Sequence, residues 1–382
     1  MTFRLGRIWG LPIEIDATWF IIFALVTWSL SAGYFPRLFP EQPATLNWLL
    51  GAVAALLLFA SVLVHELAHS YVAMRNGLDI GGITLFLFGG VSKMTQEPGT
   101  PDLELKMAAA GPATSVLLGG LFWVIAQGLL AADAPVQIAA VAGYLAFINV
   151  ILAVFNLVPG FPLDGGRVLR ALLWRATGSL ERATRYASYG GQGFGYLLMF
   201  LGFLWVLSGA LVAGVWFIII GWFLAGAAQS AYQQVIVRRA LSGVPVERIM
   251  QRDVPRVACD TPLRDLVDEY FMRYDYSAYP VVEGEDLVGI VTVDDVREVP
   301  REEWAGTAVR QVVRPPDEHR LIDEKDDAWD ALMQMAQLGA RRLLVVHDGH
   351  LEGIVSRDSV LQVVRHKMQF EQGGDTPWQR SA

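Results

Sequence analysis

Residues 186–237 contain no charged side chain, and a run of that length and apolarity has few ways to fold in water. At about 20 apolar residues per crossing it is long enough for two spanning helices. Apolar stretches recur at 17–34, 46–74, 107–131, 136–157, 193–207 and 211–231, the last two joined through Ser208-Gly209. They predict a polytopic α-helical membrane domain of about six spans. The chain as a whole is 53% hydrophobic and 18% charged, where soluble domains carry about 25% charged residues. Asp, Glu and Arg become dense only after Val244, which predicts a second, soluble α/β half. The expected division is a membrane domain at 1–232, a linker at 233–243, a soluble region at 244–370 and a disordered tail at 371–382.

Lys and Arg in short loops set the orientation of a membrane protein. With the N-terminus inside, the inner loops hold Arg4, Arg7, Arg75, Lys93, Lys106, Arg167, Arg170, Arg175, Arg182, Arg185, Arg238 and Arg239, and the outer loops hold only Arg37. Both termini are therefore expected in the cytosol, at a cell (inner) membrane, with Arg167 and Arg170 as ordinary anchors in the inner leaflet. Arg4 and Arg7 are followed by Glu14 and Asp16 with no small-residue cleavage site after the first apolar run, so that span is expected to be retained. The net charge of -8 and the lack of a basic stripe with interleaved aromatics give nucleic-acid binding no support. Cys259 is the one cysteine, so no intramolecular disulfide forms, which suits a reducing compartment.

Within the second apolar stretch stands His65-Glu66-Leu67-Ala68-His69, preceded at 46–64 by no charged residue. An ionisable side chain at the centre of a spanning helix costs roughly 2.5–3.5 kcal/mol, so this cluster asks for a function. Histidines four apart share one helical face and can share a metal, with Glu66 beside the first of them to reach a bound water. Catalytic zinc commonly takes three protein ligands, and two histidines are one short. Asp164 is the candidate third. It follows Pro159 and Pro162, which break the helix, and precedes Gly165-Gly166, which let the backbone turn. Asn156, the last polar group before the break, is a candidate amide donor to a developing oxyanion. Asp-Gly-Gly taken alone is more often a plain turn. The glycine-bounded stretch 78–95 is too short to span and should pack on protein or line a cavity, as a re-entrant hairpin or substrate-positioning edge strand, or else as a surface hairpin.

These residues resemble the site-2 proteases, intramembrane zinc metalloproteases. The matching pieces are the His65–His69 motif, Ala110-Gly111-Pro112 opening the next span, and Asn156-Leu-Val-Pro-Gly-Phe-Pro-Leu-Asp164-Gly, with Leu5-Gly-Arg-Ile-Trp-Gly-Leu-Pro-Ile at the start. The resemblance implies zinc, one per chain, held by His65, His69 and Asp164, with Glu66 as general acid/base and Asn156 holding substrate or oxyanion. It also implies a transmembrane protein substrate, such as a membrane-bound anti-sigma or other regulatory factor, whose helix must unwind locally. Gly111-Pro112 is read as a helix start with a packing role.

The soluble half contains an internal repeat: 279–292 aligns with 343–356, each copy with a helix (263–273, 328–338), a strand, a polar turn, a second strand and another helix. It resembles a tandem CBS domain pair, the first copy at 244–304 and the second at 305–370. Such pairs often bind adenosine nucleotides, ATP or AMP, and often form homodimers. Thr292-Val-Asp-Asp295 fits the family's Ser/Thr-x-x-Asp, where the Asp takes ribose hydroxyls. The second copy departs, with Ser356 followed by Ser359 at the aligned position and Asp358 one place early. Thr292 and Asp295 read equally well as a helix cap. The function expected is intramembrane endopeptidase with a cytosolic regulatory CBS pair. The rivals are a CBS-gated transporter or channel, which should carry ionisable groups along several spans, and an inactive scaffold.

Overall fold

The structure, a computed structural model, describes residues 2–87, 89–94, 98–274, 278–284, 286–315 and 320–372. It divides into two compact units, Met1–Val235 and Ile236–Ala382.

The first unit holds helices α1 (Ala17–Leu38), α2 (Ala44–Arg75), α3 (Pro101–Ala131), α4 (Val136–Asn156), α5 (Asp164–Thr177), α6 (Leu180–Leu207) and, as far as Val235, α7 (Leu211–Leu241). All but α5 are long and apolar enough to cross a membrane, six candidate spans among the described residues. Leu, Val, Ile and Phe stay exposed along them, as lipid-facing positions must. The third span starts earlier than its apolar run. Thr100 caps α3 by accepting from the Leu103 amide at 3.3 Å, Pro101 takes the first position where no amide is needed, and Asp102 and Glu104 sit in the first turn. These are strong helix-start signals. Gly111-Pro112 therefore lies inside α3 and does not open it. The fifth span likewise extends back to Leu180, capped by Ser179.

The stretch 78–95 is not a free hairpin. Strands β1 (Thr2–Ile8), β2 (Leu11–Asp16), β3 (Ile80–Phe86) and β4 (Gly89–Met94) make one sheet in that order. β2 and β3 are parallel, with Ile13 opposite Ile83 and Ile15 opposite Leu85. The inward residues of this pair alternate strictly and pack on α1 and α2: Ile13 and Ile83 with Leu67, and Ile15 and Leu85 with Trp19 and Phe59. Across the sheet Lys93 donates to Glu14 at 2.8 Å, and that hydrogen bond holds the Glu14 carboxyl below the usual range.

In the second unit six strands run β5 (Val257–Ala258), β6 (Ala278–Glu283), β7 (Asp286–Thr292), β10 (His350–Ser356), β9 (Arg342–His347) and β8 (Leu321–Asp323) across one sheet. The two halves have the same plan. β5 pairs parallel with β6 and β8 parallel with β9, each followed by an antiparallel hairpin, and the copies meet where His350 of β10 faces Asp286 of β7. Helices α8 (Val293–Arg297), α9 (Ala328–Leu338) and α10 (Arg357–Gln372) complete the repeat. In the first copy the stretch expected as a helix at 263–273 is helical as far as Phe271, a short α-helical segment, Leu263–Asp265, continued by a π-helical one, Leu266–Phe271. Residues 233–241, expected as linker, are the last turns of α7, whose Leu241 joins Val244, Val246, Ala328, Leu343 and Val345 in one apolar core. Residues 371 and 372, expected in a disordered tail, end α10; the rest of that tail, 373–382, lies outside the described residues.

Leu343 is 1% exposed in that core. Leu343→Ala is expected to cost about 2–5 kcal/mol of unit stability through the cavity it leaves, read by calorimetry of the intact chain in detergent as a lowered transition.

Candidate metal centre

α2 carries both histidines on its inner face, one turn apart, and both are buried. Their outer ring nitrogens are engaged. His69 Nδ1 donates to the Met107 carbonyl at 2.7 Å, which leaves Nε2 as the lone-pair nitrogen, and His65 Nδ1 meets Ser115 Oγ at 2.8 Å. Hydrogen bonds of this kind fix the tautomer and ring orientation of a metal-binding histidine. Both partners belong to α3, where Gly111 lies between them. A Cβ on Gly111 would strike Nε2 of both histidines, so only glycine lets α3 approach that closely.

Asp164 arrives from the other side as the first residue of α5. Its position depends on backbone packing: side chains at Gly165 or Gly166 would collide with the Leu157 and Gly160 carbonyls, so the loop after α4 closes tightly under it. Further along α5, Arg170 is 5% exposed. It pairs with Glu104 of α3, itself buried, and lies over the Phe161 ring at 5.0 Å. Arg170 is thus an internal strut between α3 and α5, not a leaflet anchor. Removing one partner of such a pair leaves the other charge buried and alone.

The result is a triangle of donor atoms. Asp164 Oδ2 lies 3.1 Å from His65 Nε2 and 3.2 Å from His69 Nε2, and the two nitrogens are 3.2 Å apart. Ligands about 2.0–2.1 Å from a tetrahedral zinc are roughly 3.3 Å from one another, so the donor set fits that ion. No other group of three or more His, Cys, Asp or Glu among the described residues is placed to hold a metal.

Beside the triangle, half-buried Glu66 accepts from Ser92 Oγ at 3.3 Å, and Ser92 in turn meets Ser70 at 3.0 Å. β4 passes so close that a Cβ at Gly90 would collide with the Glu66 side chain. These groups line one cavity of about 600 Å³, whose opposite wall is apolar, with Trp216, Ile220, Phe223 and Leu224 of α7. Asn156 lines it too, but its amide donates to the Leu152 carbonyl of its own helix at 3.0 Å. Ser115, the Met107 carbonyl and Ser92 carried no signal in the sequence beyond helical spacing: Ser115 stands four residues after Gly111 and so on the same face.

In the second unit Thr292 and Asp295 form a reciprocal cap of α8, Asp295 Oδ2 accepting from the Thr292 amide at 2.8 Å while Thr292 Oγ1 accepts from the Asp295 amide at 3.3 Å. Arg314 takes the other carboxylate oxygen. In the second copy Ser356 accepts from the Ser359 amide at 3.1 Å, so a serine pair stands where the first copy has Thr and Asp.

Against known proteins, residues 53–132 and 129–201 match the model of Peptidase family M50, and 246–302 and 309–366 match that of the CBS domain. A protein of Synechocystis sp. whose name gives it as a candidate zinc metalloprotease is 34% identical over 366 residues, 95% of this chain and 95% of its own. A zinc metalloprotease of Methanocaldococcus jannaschii is 31% identical over 361 residues, 94% of this chain and 95% of its own. Among solved structures, a site-2 protease from Methanocaldococcus jannaschii is 30% identical, with a TM-score of 0.43, over 61% of this chain and 95% of that one.

Gly111→Ala pushes a methyl group into the space between the two Nε2 atoms. Bound zinc, measured by atomic absorption on the purified protein, is expected to fall several-fold while the helical content stays at the wild-type level.

Proposed function

The chain belongs to peptidase family M50, and on that premise we propose that it is an intramembrane endopeptidase that cuts a transmembrane segment of another protein. It is a multi-pass membrane zinc metalloprotease with a CBS pair. The finer reading rests above all on one observation: three donor atoms from α2 and α5, 3.1–3.2 Å apart, beside a carboxylate in an apolar-walled cavity.

In this reading His65, His69 and Asp164 hold the zinc. Zinc bound there lowers the pKa of a water towards about 7 and polarises a carbonyl. Glu66 takes the proton from the attacking water and passes it to the leaving amine, as a general base and then acid. Ser92, hydrogen-bonded to Glu66 Oε2, holds the carboxylate in place for both transfers. Asn156 contributes once its amide turns from Leu152 towards substrate backbone. The apolar wall of α7 suits an apolar substrate segment, and a peptide bond becomes open to attack only where that segment leaves its helix, since helical carbonyls are already hydrogen-bonded.

Charge asymmetry of the loops supports cytosolic termini at the cell membrane. In this reading the CBS pair lies in the cytosol and acts as a nucleotide-sensing and dimerising regulator. Thr292 and Asp295 are the candidate ribose contacts of the first copy, and a nucleotide there has to displace Arg314 from Asp295.

Glu66→Gln is expected to keep about one zinc per chain and to lose cleavage of a co-expressed membrane reporter by at least about 100-fold, measured by immunoblot and metal analysis. Asp164→Ala is expected to lose the zinc itself; unchanged metal content would remove it from the ligand set. Calorimetry of the intact protein with ATP and with AMP should give binding heat that weakens in Asp295→Asn, and silence with both nucleotides would leave the CBS pair a purely structural role.

A further inference from the structure

α5 carries three arginines in its first twelve residues, and two are used as struts: Arg170 pairs with buried Glu104, and Arg175 donates to Asp102 at 3.0 Å. Arg167 differs from both. It is half-buried, it lines the cavity that His65, Glu66, His69 and Asp164 share, and its guanidinium forms no hydrogen bond or ion pair with a described residue. Among the described residues it is the one Lys or Arg on the cavity wall. It stands one turn after Asp164, and Gly165 and Gly166 between them have no side chains, so the first turn of α5 offers the cavity an acid and a guanidinium together.

A guanidinium held in a largely apolar cavity without an acceptor is a costly arrangement unless an acceptor arrives. A permanent anion such as a lipid phosphate is a poor visitor, because Glu66 and Asp164 share the wall. A peptide carbonyl enters neutral. When water oxygen bonds to its carbon, a water proton passes to Glu66 and the carbonyl π pair moves onto oxygen, so negative charge leaves the Glu66 carboxylate as it appears on the substrate. Among the described residues, the one side-chain amide on the cavity wall, that of Asn156, is spent on Leu152.

We propose that Arg167 is a catalytic residue that donates hydrogen bonds to the carbonyl oxygen of the scissile peptide as it becomes an oxyanion, keeping its own protons throughout. The assignment rests on the peptidase reading of the same cavity. It is of the kind in which a pre-placed donor aimed at developing charge lowers the barrier without favouring the bound substrate.

The test uses two peptides with the same apolar flanks, one with a phosphinic group, tetrahedral and anionic like the intermediate, the other with a neutral hydroxyethylene group. Both are titrated into the intact, zinc-loaded protein in detergent. Arg167→Gln is expected to weaken the phosphinic peptide by about 100-fold, the range seen when an oxyanion donor is removed, and the neutral peptide by no more than about threefold. Arg167→Lys is expected to fall between, near a tenfold loss, because an ammonium supplies charge without the planar fork; it serves as the reading if the Gln variant does not fold. Zinc per chain should equal that of the wild type in both.

Equal weakening of the two peptides would make Arg167 a general substrate contact and overturn the proposal. Unchanged affinity for both would return it to the lipid headgroups, and a fall in zinc would make it a prop for Asp164; either overturns the proposal as well. A wild-type protein that holds zinc and binds neither peptide would sink the peptidase reading itself, and the role of Arg167 with it.

Discussion

Two imidazole nitrogens and a carboxylate oxygen held within 3.2 Å of one another, inside the membrane half of a protein, are the constraint around which the first unit is organised. With His69 Nδ1 committed to the Met107 carbonyl, its Nε2 faces the Asp164 carboxylate and the His65 nitrogen as a lone pair. The lone pairs of His69 and Asp164 repel one another when alone, and the same contact becomes favourable around a cation. The contacts that bring α2, α3 and α5 together must therefore hold against that repulsion. The buried Arg170–Glu104 pair does so between α3 and α5, and Ser115 and Met107 do so between α3 and the two imidazoles.

Close approach of backbone is the other half of the same solution. A membrane interior offers no hydrophobic drive for helix association, so packing and polar contacts must supply it, and small residues let helices come near. Here the small residues serve a chemical end. Gly111 admits α3 to the imidazole nitrogens, and Gly90 admits β4 to Glu66. With a methyl group in either place, the helix or the strand would have to retreat, and the atoms that need to converge would not. Pro112, beside Gly111 in mid-helix, adds to this: it removes one backbone donor in the α3 segment that faces His65 and His69.

The parts of this design that depend on near neighbours in sequence were legible in the sequence alone. Histidines at 65 and 69 share a face because helices repeat every 3.6 residues, charge-free stretches mark the spans, and the repeat at 279–292 and 343–356 marks two modules of one plan. The parts that depend on distant pairing were not. Nothing near Leu11–Asp16 announces a parallel partner at Ile80–Phe86; the alternation of Ile13 and Ile15 is visible, but its partner is chosen by the face of α2 that both must cover. Arg170 looked like any inner-leaflet arginine, since its burial is decided by a glutamate sixty-six residues earlier in α3. Asp164 was accessible to reasoning for a different reason: prolines and glycines on either side left few conformations for the loop, and an acid at its end had to point somewhere specific.

The two CBS modules show how a family pattern and a local need can call for the same residues. Asp295 caps α8, and a cap is satisfied by any short acceptor at the right place. In the second copy Ser356 accepts from the Ser359 amide, so the helix start survives the loss of the carboxylate. What does not survive is the charge. Asp295 draws Arg314 across to it, and no such pull exists at Ser359. Asp295 also accepts from the Thr292 amide, whereas Ser359 meets Ser356 through its own amide and hydroxyl, so the carboxylate does more at its helix start than the serine does at the other. The asymmetry between the copies is therefore one of charge and reach: a carboxylate offers one oxygen to the Thr292 amide and the other to Arg314, and a serine hydroxyl has a single oxygen to offer.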